Sequence, residues 1–423
     1  MVNSSQVKKQ VLIFSNIILP KIASHLSMTP NYSGGWIIGL VEELLQSGKV
    51  DLTVAFPAFG LKSKVSGSIS ELRYYGFSQS KSDMHEYNSG VENNVNAIIA
   101  EVRPDIVHVF GTEYPHSLAI INACESLGIL DRVVINIQGL VSIYARHYYA
   151  GVPKSIYLRW KQSDFVKRGK YEIEAIRKVK HVIGRTDWDR ACATQINPSV
   201  QYHFCNETLR DEFYKHNWDI EKIERHSIFL SQAPYPIKGL HYVLEALPHV
   251  LTKFPDTRLY IAGSDTTKNE TIKDKLKMGS YGHYIRRLIR ALKVSEYVTF
   301  VGSLDEKKMC ERYLKSHVFA LPSSIENSPN SVGEAMLLGV PVVASDVGGV
   351  KNMLTHSVEG FVYQHDASYM LGHYIMTIFA RDETALVFSE NSRVHANATH
   401  NKEKNLRDIL SIYGLICCDA FRK

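Results

Sequence analysis

No stretch of this chain approaches the roughly 18 uninterrupted apolar residues that cross a bilayer, which argues against a membrane-spanning helix. Cysteine is scarce: six in 423 residues, without regular spacing, fit a reducing cytosol rather than a disulfide framework. The polar opening Met1 to Gln10 runs straight into the strand-like Val11-Leu12-Ile13-Phe14, so no secretory leader is expected there. Low-complexity tracts, short-period repeats and nucleic-acid-binding motifs are also lacking. The expected setting is cytoplasmic, at most peripheral to the inner face of the cell membrane, with no nucleic-acid partner.

What is present is ordinary in amount and uneven in placement. A hydrophobic content of 45% with 22% charged residues describes a globular chain, and 423 residues is too long for one core. The net charge is +6, yet residues 146–180 hold ten Lys and Arg against three Asp and Glu. The same segment carries Tyr148, Tyr149, Tyr157, Trp160 and Phe165. It reads either as a long solvated helix with core aromatics or as a basic-aromatic face for an anionic membrane surface.

Short β-branched runs alternate with helical patterns throughout, the signature of parallel sheets built from βαβ units. The first half offers strands at Val11–Ile17, Leu52–Phe56, Glu71–Tyr75, Ile106–Phe110, Val133–Ile137, His181–Gly184 and Tyr202–Cys205. The second offers Ser227–Ser231, Arg258–Ala262, Val298–Val301, Val318–Leu321, Val342–Ala344 and Phe361–Tyr363. The charged, strand-free segment Arg210–Arg225 separates them. Residues 402–421 read as one amphipathic helix with Leu406, Ile409, Leu410, Tyr413 and Ile416 near one face.

The most informative block is Glu326 to Glu334 in SSIENSPNSVGEAMLLGVPVVASDVGGV. Two carboxylates flank a polar turn, Ser328-Pro329-Asn330-Ser331, that leads into a helix-like run and then a buried-strand pattern. A loop entering a helix N-terminus offers backbone N–H groups to an anion, and the acids can grip hydroxyls attached to it. Phosphate plus polyol reads as a nucleotide sugar. Lys238-Gly239 opens another helix, where a lysine is unfavourable against the helix dipole unless an anion is shared. Gly34-Gly35 before the first long helix, Gly263 after a strand, and Ile137-Gln138-Gly139 after another mark turns where backbone can approach a ligand. Each of these has a plain alternative in a tight turn or a dipole-stabilised helix start.

Glu326-x7-Glu334 with Ala335-Met336, Gly339 and Pro341-Val342-Val343-Ala344-Ser345 resembles the donor-site signature of the retaining family-4 glycosyltransferases. Lys238-Gly239 resembles that family's diphosphate lysine, Gly34-Gly35 its glycine loop, and Phe300-Val301-Gly302 the strand end beside the base. Asp105–Glu113, Ile137-Gln138-Gly139 and Tyr235–Gly239 resemble a bacterial branch that builds capsular or other surface polysaccharide. The resemblance spans residues 10 to 400 and implies the α/β GT-B architecture: two Rossmann-like doubly wound domains facing an interdomain cleft. The acceptor-binding domain would comprise 1–210 plus a C-terminal helix at about 400–423, and the nucleotide-sugar domain 211–399.

Site roles follow from the same resemblance. Glu326 and Lys238 would act at the reacting sugar and the departing diphosphate. Glu334 would hold ribose hydroxyls, with Gly34, Gly35, Gly263, Gly302 and the backbone of Asn330, Ser331 and Val332 around the donor. Gln138, His147, Thr112, Glu113 and Arg185 would position sugar or acceptor. No metal or cofactor is implied, the nucleotide sugar being a substrate. The expected reaction is retaining transfer of a hexose from a UDP-sugar to a glycan or lipid-linked acceptor. The alternatives are a nucleotide-sugar epimerase or hydrolase on the same scaffold, or a non-catalytic GT-B partner subunit. The sequence departs from the family in two places. An arginine usual before the phosphate lysine is absent from Ser231-Gln232-Ala233-Pro234, which makes Arg185 a substitute candidate, and Gln138 stands where a histidine is common.

Overall fold

The computed structural model describes residues 8–30, 34–59, 65–82, 84–149, 151–153, 156–268 and 279–420. They divide into two compact units, one drawn from 1–142, 164–208 and 401–423, the other from 143–163 and 209–400.

The first unit is built on an eight-stranded sheet. Its strands are β1 (Lys9–Ser15), β2 (Val50–Phe59), β3 (Val65–Ile69), β4 (Leu72–Gln79), β5 (Ile106–Phe110), β6 (Val133–Asn136), β7 (His181–Gly184) and β8 (Gln201–Phe204). They lie in the order β3-β4-β2-β1-β5-β6-β7-β8. All neighbours pair in parallel except β3 with β4, which form an antiparallel edge hairpin. The middles of the central strands, Val11–Phe14 of β1 and Ile106–Phe110 of β5, are buried and apolar apart from His108, as strands covered on both faces largely are. The edge hairpin differs from expectation: β3, with the sequence Val-Ser-Gly-Ser-Ile, has a mostly exposed pattern and little to announce it.

The helix Lys402–Ala420 completes this unit's core rather than trailing from it. Ile409, Ile412, Tyr413 and Ile416 are buried among Ile37, Val41 and Leu44 of the helix Gly35–Ser47. The Tyr413 hydroxyl lies 2.7 Å from His108 Nδ1 on β5. Each fully buried side chain of this size contributes about 1.5–3 kcal/mol by leaving water.

The second unit has six parallel strands: β9 (Glu224–Leu230), β10 (Arg258–Ala262), β11 (Val298–Gly302), β12 (Ser316–Leu321), β13 (Val342–Ser345) and β14 (Gly360–Tyr363). Their order is β11-β10-β9-β12-β13-β14. The chain therefore runs outward in one direction from β9 and in the other from β12. The order reverses between those two strands, and the C-terminal ends at such a switch point are the usual ligand position of open α/β sheets.

Residues 143–163 belong to this second unit, unlike the unbroken first domain expected for 1–210. Close packing explains the grouping. Gly151 lies so near Tyr242 that a Cβ there would sit 2.6 Å from its hydroxyl oxygen.

Candidate functional site

The loops after β9 and β12 meet in close backbone contact at that switch point. Tyr235 leads into a single turn, Pro236–Lys238, and Gly239 then takes a left-handed conformation (φ +72°) before the helix Leu240–Lys253. A Cβ on Gly239 would fall 1.9 Å from the Pro322 carbonyl oxygen, so only glycine fits. The Ser324 N–H donates to the Ile237 carbonyl at 2.8 Å, fastening the two loops. On the other side Gly348 (φ +51°) packs against the Glu326 carbonyl, where a Cβ would approach to 1.7 Å. The Gly349 N–H donates to the same oxygen at 3.2 Å.

This frame brings together two residues 88 positions apart. Lys238 Nζ lies 2.6 Å from Glu326 Oε1, with side-chain exposures of 13% and 8%. The Ser323 hydroxyl donates to the same oxygen at 2.7 Å. Burial works against the lysine's charge, yet the Glu326 carboxylate holds the ammonium above the ordinary lysine range. The anion that the sequence required beside Lys238 is thus, in this structure, Glu326. An ammonium has three N–H donors, and this contact uses one.

Eight residues on, Glu334 lies in the helix Asn330–Leu338, whose N-terminus has no side-chain cap. Asn330, Ser331 and Val332 form the first turn, and the Ser331 carbonyl accepts the Tyr313 hydroxyl at 3.0 Å. Both Glu334 oxygens are engaged by Arg210, Nε to Oε1 and Nη2 to Oε2, each at 2.8 Å. Burial pushes the Glu334 carboxyl up, and Arg210 opposes the rise. Each acid therefore has its own cation, an arrangement unlike the paired acid and nucleophile of a glycosidase. Sequence reasoning missed both Arg210, read there as part of a charged linker, and Ser323. The serine pair preceding Ile325-Glu326 was the available signal for the latter.

Gly263 and Gly302 end the neighbouring strands β10 and β11 with positive φ, joined by a 2.8 Å bond from the Gly263 N–H to the Gly302 carbonyl. Among the described residues no atom lies within 4 Å of a Cβ built on either. Gly34 precedes the helix Gly35–Ser47 with φ −104°. A Cβ there would meet Ile17 Cδ1 at 2.1 Å, so the Ile17 side-chain end would have to move for any other residue.

In the first unit the expected sugar-positioning residues form two polar clusters at the strand ends. Asn16, after β1, donates to Glu113 Oε2 at 2.9 Å and lies 2.7 Å from His116 Nε2 through its carbonyl. Arg168 donates to the Glu113 backbone carbonyl at 2.8 Å. The Thr112 hydroxyl donates to Glu172 Oε2 at 3.1 Å, and the N–H groups of Val141 and Ser142 donate to the same carboxylate. Burial pushes the Glu113 and Glu172 carboxyls up to about 7. In the second cluster Gln138 donates to Glu207 Oε1 at 2.6 Å, and Arg185 pairs with Glu207 Oε2. Arg185 is 4% exposed and spends its charge on Glu207 within this unit. His147 groups with the second unit instead, half-buried, its pKa lowered by burial and by the nearby charges of His365 and Arg146.

The helix Ile156–Lys178 carries the basic segment, and Lys154 lies outside the described residues. Arg159, Ser163, Lys167, Lys170, Glu174 and Arg177 are exposed at helical spacing along one face. Trp160 is 61% exposed beside them. Among the described residues no helix is long and apolar enough to cross a membrane, and no three His, Cys, Asp or Glu side chains converge on a metal-sized space.

Residues 212–395 match the model of the family "Glycosyl transferases group 1". An uncharacterized glycosyltransferase of Haemophilus influenzae is 26% identical over 176 residues, 41% of this chain and 45% of that protein. The match thus spans less than half of the relative's length. Among solved structures, sucrose-phosphate synthase from Thermosynechococcus elongatus superposes with a TM-score of 0.72 over 97% of this chain and 99% of that one, at 16% identity. Anabaena HepE in complex with UDP-glucose superposes with a TM-score of 0.67 over 95% and 99%, at 14% identity. The fold is the two-unit α/β architecture of the GT-B glycosyltransferases.

Proposed function

We propose that this chain, whose residues 212–395 match the group 1 glycosyl transferases, moves a hexose from a nucleoside-diphosphate sugar to a glycan or lipid-linked acceptor with retention of anomeric configuration. The observation that carries the reading is the Lys238–Glu326 pair at the switch point of the second sheet. A buried cation sits there beside a carboxylate, in a loop that runs on into an uncapped helix N-terminus. Those are the elements a sugar diphosphate needs: positive charge for the phosphates, a carboxylate for hydroxyls.

In this reading the diphosphate docks on Lys238 and the N-terminal turn Asn330–Val332. Glu326 accepts from hydroxyls of the transferred sugar, and Glu334 from the ribose. The anomeric C–O bond breaks as the acceptor oxygen bonds to the same carbon from the face the phosphate leaves. The acceptor's proton passes to the departing phosphate oxygen, so no side-chain base is assigned. Fixed positive charge where the leaving group gains negative charge supplies most of the acceleration. That charge comes from Lys238 and backbone N–H groups rather than a metal ion, and EDTA is expected to leave turnover unchanged.

UDP is the proposed nucleotide, supported by the likeness to a protein solved with UDP-glucose. Surface polysaccharide assembly is the proposed setting, supported by the segments Asp105–Glu113 and Tyr235–Gly239. The exposed basic face of Ile156–Lys178 suits an acceptor held at an anionic membrane surface. A thermal-shift panel of UDP-, GDP- and ADP-sugars tests the donor. A ligand at 100 times its Kd adds about 2.7 kcal/mol of stability, so one nucleotide series raises the melting temperature. A flat response across all three overturns the reading.

A further inference from the structure

Arg210 grips Glu334 through a planar fork, and the arginine is itself held rigidly. Its guanidinium lies 4.7 Å from the centre of the Phe213 ring. Its carbonyl accepts the Phe213 N–H at 3.2 Å. The preceding Leu209 N–H donates to the Tyr214 hydroxyl at 3.1 Å, and that hydroxyl donates to the His400 carbonyl at 2.8 Å. The His400 ring in turn packs where a Cβ on Gly333 would stand, 2.5 Å from its Nε2. The segment carrying Arg210 is therefore fastened to the helix carrying Glu334. A bidentate fork occupies one lone pair on each carboxylate oxygen and leaves the second on each available.

We infer that Arg210 is a positioning residue for ribose recognition: its fork fixes the plane of the Glu334 carboxylate so that the remaining lone pairs accept both ribose hydroxyls of the donor nucleotide. The inference rests on the proposed donor-site role of Glu334. Other charged or titratable groups around Glu334 are Glu306, Cys310 and Tyr313 on the helix Glu306–Leu314, with His400 against the neighbouring residue. In that set Glu306 raises the Glu334 carboxyl and Arg210 lowers it. Without Arg210 the carboxyl protonates more readily and offers a donor where an acceptor is needed.

The test compares UDP with 2′-deoxy-UDP (or the GDP or ADP pair, if that nucleotide binds best) by calorimetry on the full chain and on Arg210→Met and Arg210→Lys. Arg210→Met is expected to weaken UDP about tenfold, the scale of a lost hydrogen bond to a charged group. 2′-Deoxy-UDP, already deprived of one hydroxyl, is expected to change about twofold or less. The UDP to 2′-deoxy-UDP affinity ratio stays level between pH 6 and 8 in the parent. In Arg210→Met it rises with pH as Glu334 ionises. Arg210→Lys keeps the charge without the fork, so it restores the level profile but only part of the affinity. Equal losses for both nucleotides, or unchanged UDP affinity, overturn the inference while leaving the donor site in place. A parent chain that binds none of the three nucleoside diphosphates overturns the donor reading and the inference together.

Discussion

Removing either member of the Lys238–Glu326 pair separates its structural cost from its functional one. Both side chains are almost wholly buried, and a single oxygen, Oε1, receives both the ammonium at 2.6 Å and the Ser323 hydroxyl at 2.7 Å. Lys238→Met leaves a buried carboxylate with Ser323 as its remaining partner from this network. Breaking a buried pair in this way costs about 3–5 kcal/mol, or roughly 6–20 °C in melting temperature for a unit of this size. Glu326→Gln costs less, about 2 kcal/mol, because the amide oxygen still accepts from both donors. The double variant lacks both charges, so it is expected to be more stable than the summed losses by about 2 kcal/mol or more. Thermal unfolding of the four proteins, with and without the best nucleotide sugar of the panel, gives the result. The nucleotide sugar is expected to stabilise Glu326→Gln at least as well as the parent, since Lys238 remains for the diphosphate, and to stabilise Lys238→Met scarcely at all. Strictly additive losses would refute the coupling. Undiminished stabilisation of Lys238→Met would refute the assignment of the diphosphate to Lys238.

Three further outcomes are expected. In steady-state assays Glu326→Gln lowers kcat far more than it raises the donor KM, whereas Glu334→Ala mainly raises KM; the same pattern in both variants would contradict the division of roles. The exposed basic face of Ile156–Lys178 should bind anionic liposomes at low salt and release them as salt rises. Flotation with neither effect, or with no weakening in Lys167→Ala/Lys170→Ala, removes the membrane surface. In the first unit, burial raises the Glu113 and Glu172 carboxyls from the ordinary 4.5 to about 7, so the folded state keeps protons that the unfolded chain has released. Stability is therefore lost as pH rises from about 4.5 to 7 and levels off above. Urea midpoints between pH 5 and 8 should show that slope, flattened in Glu172→Gln; an unaltered slope would contradict the assignment to Glu172.

The parallel sheets were legible because buried strands leave continuous β-branched runs, and all six strands of the second unit fall within a few residues of their expected positions. The Glu326–Glu334 block was legible because its chemistry is local, two acids around one turn. Arg210 was not, because its partner is 124 positions away and nothing nearby in sequence distinguishes it from a solvated charge. The β3 edge escaped notice for a different reason: an exposed edge strand needs no apolar alternation, and Ser66, Gly67 and Ser68 supply none. Lys238 was recognised as needing an anion, but sequence pointed to an incoming phosphate before a resident carboxylate. Arg185 was offered as a spare cation without sight of Glu207, its partner 22 residues later on the far side of β8.

The helix Lys402–Ala420 also fixes the order in which the protein can mature on the ribosome. The first unit lacks Ile409, Tyr413 and Ile416 until that helix has emerged, and by then all of residues 209–400 have been made. Domains usually consolidate in the order of synthesis. Here the second unit can close its core first, while the sheet that begins at Lys9 waits, with an unfilled apolar face, until residues 402–420 have been made.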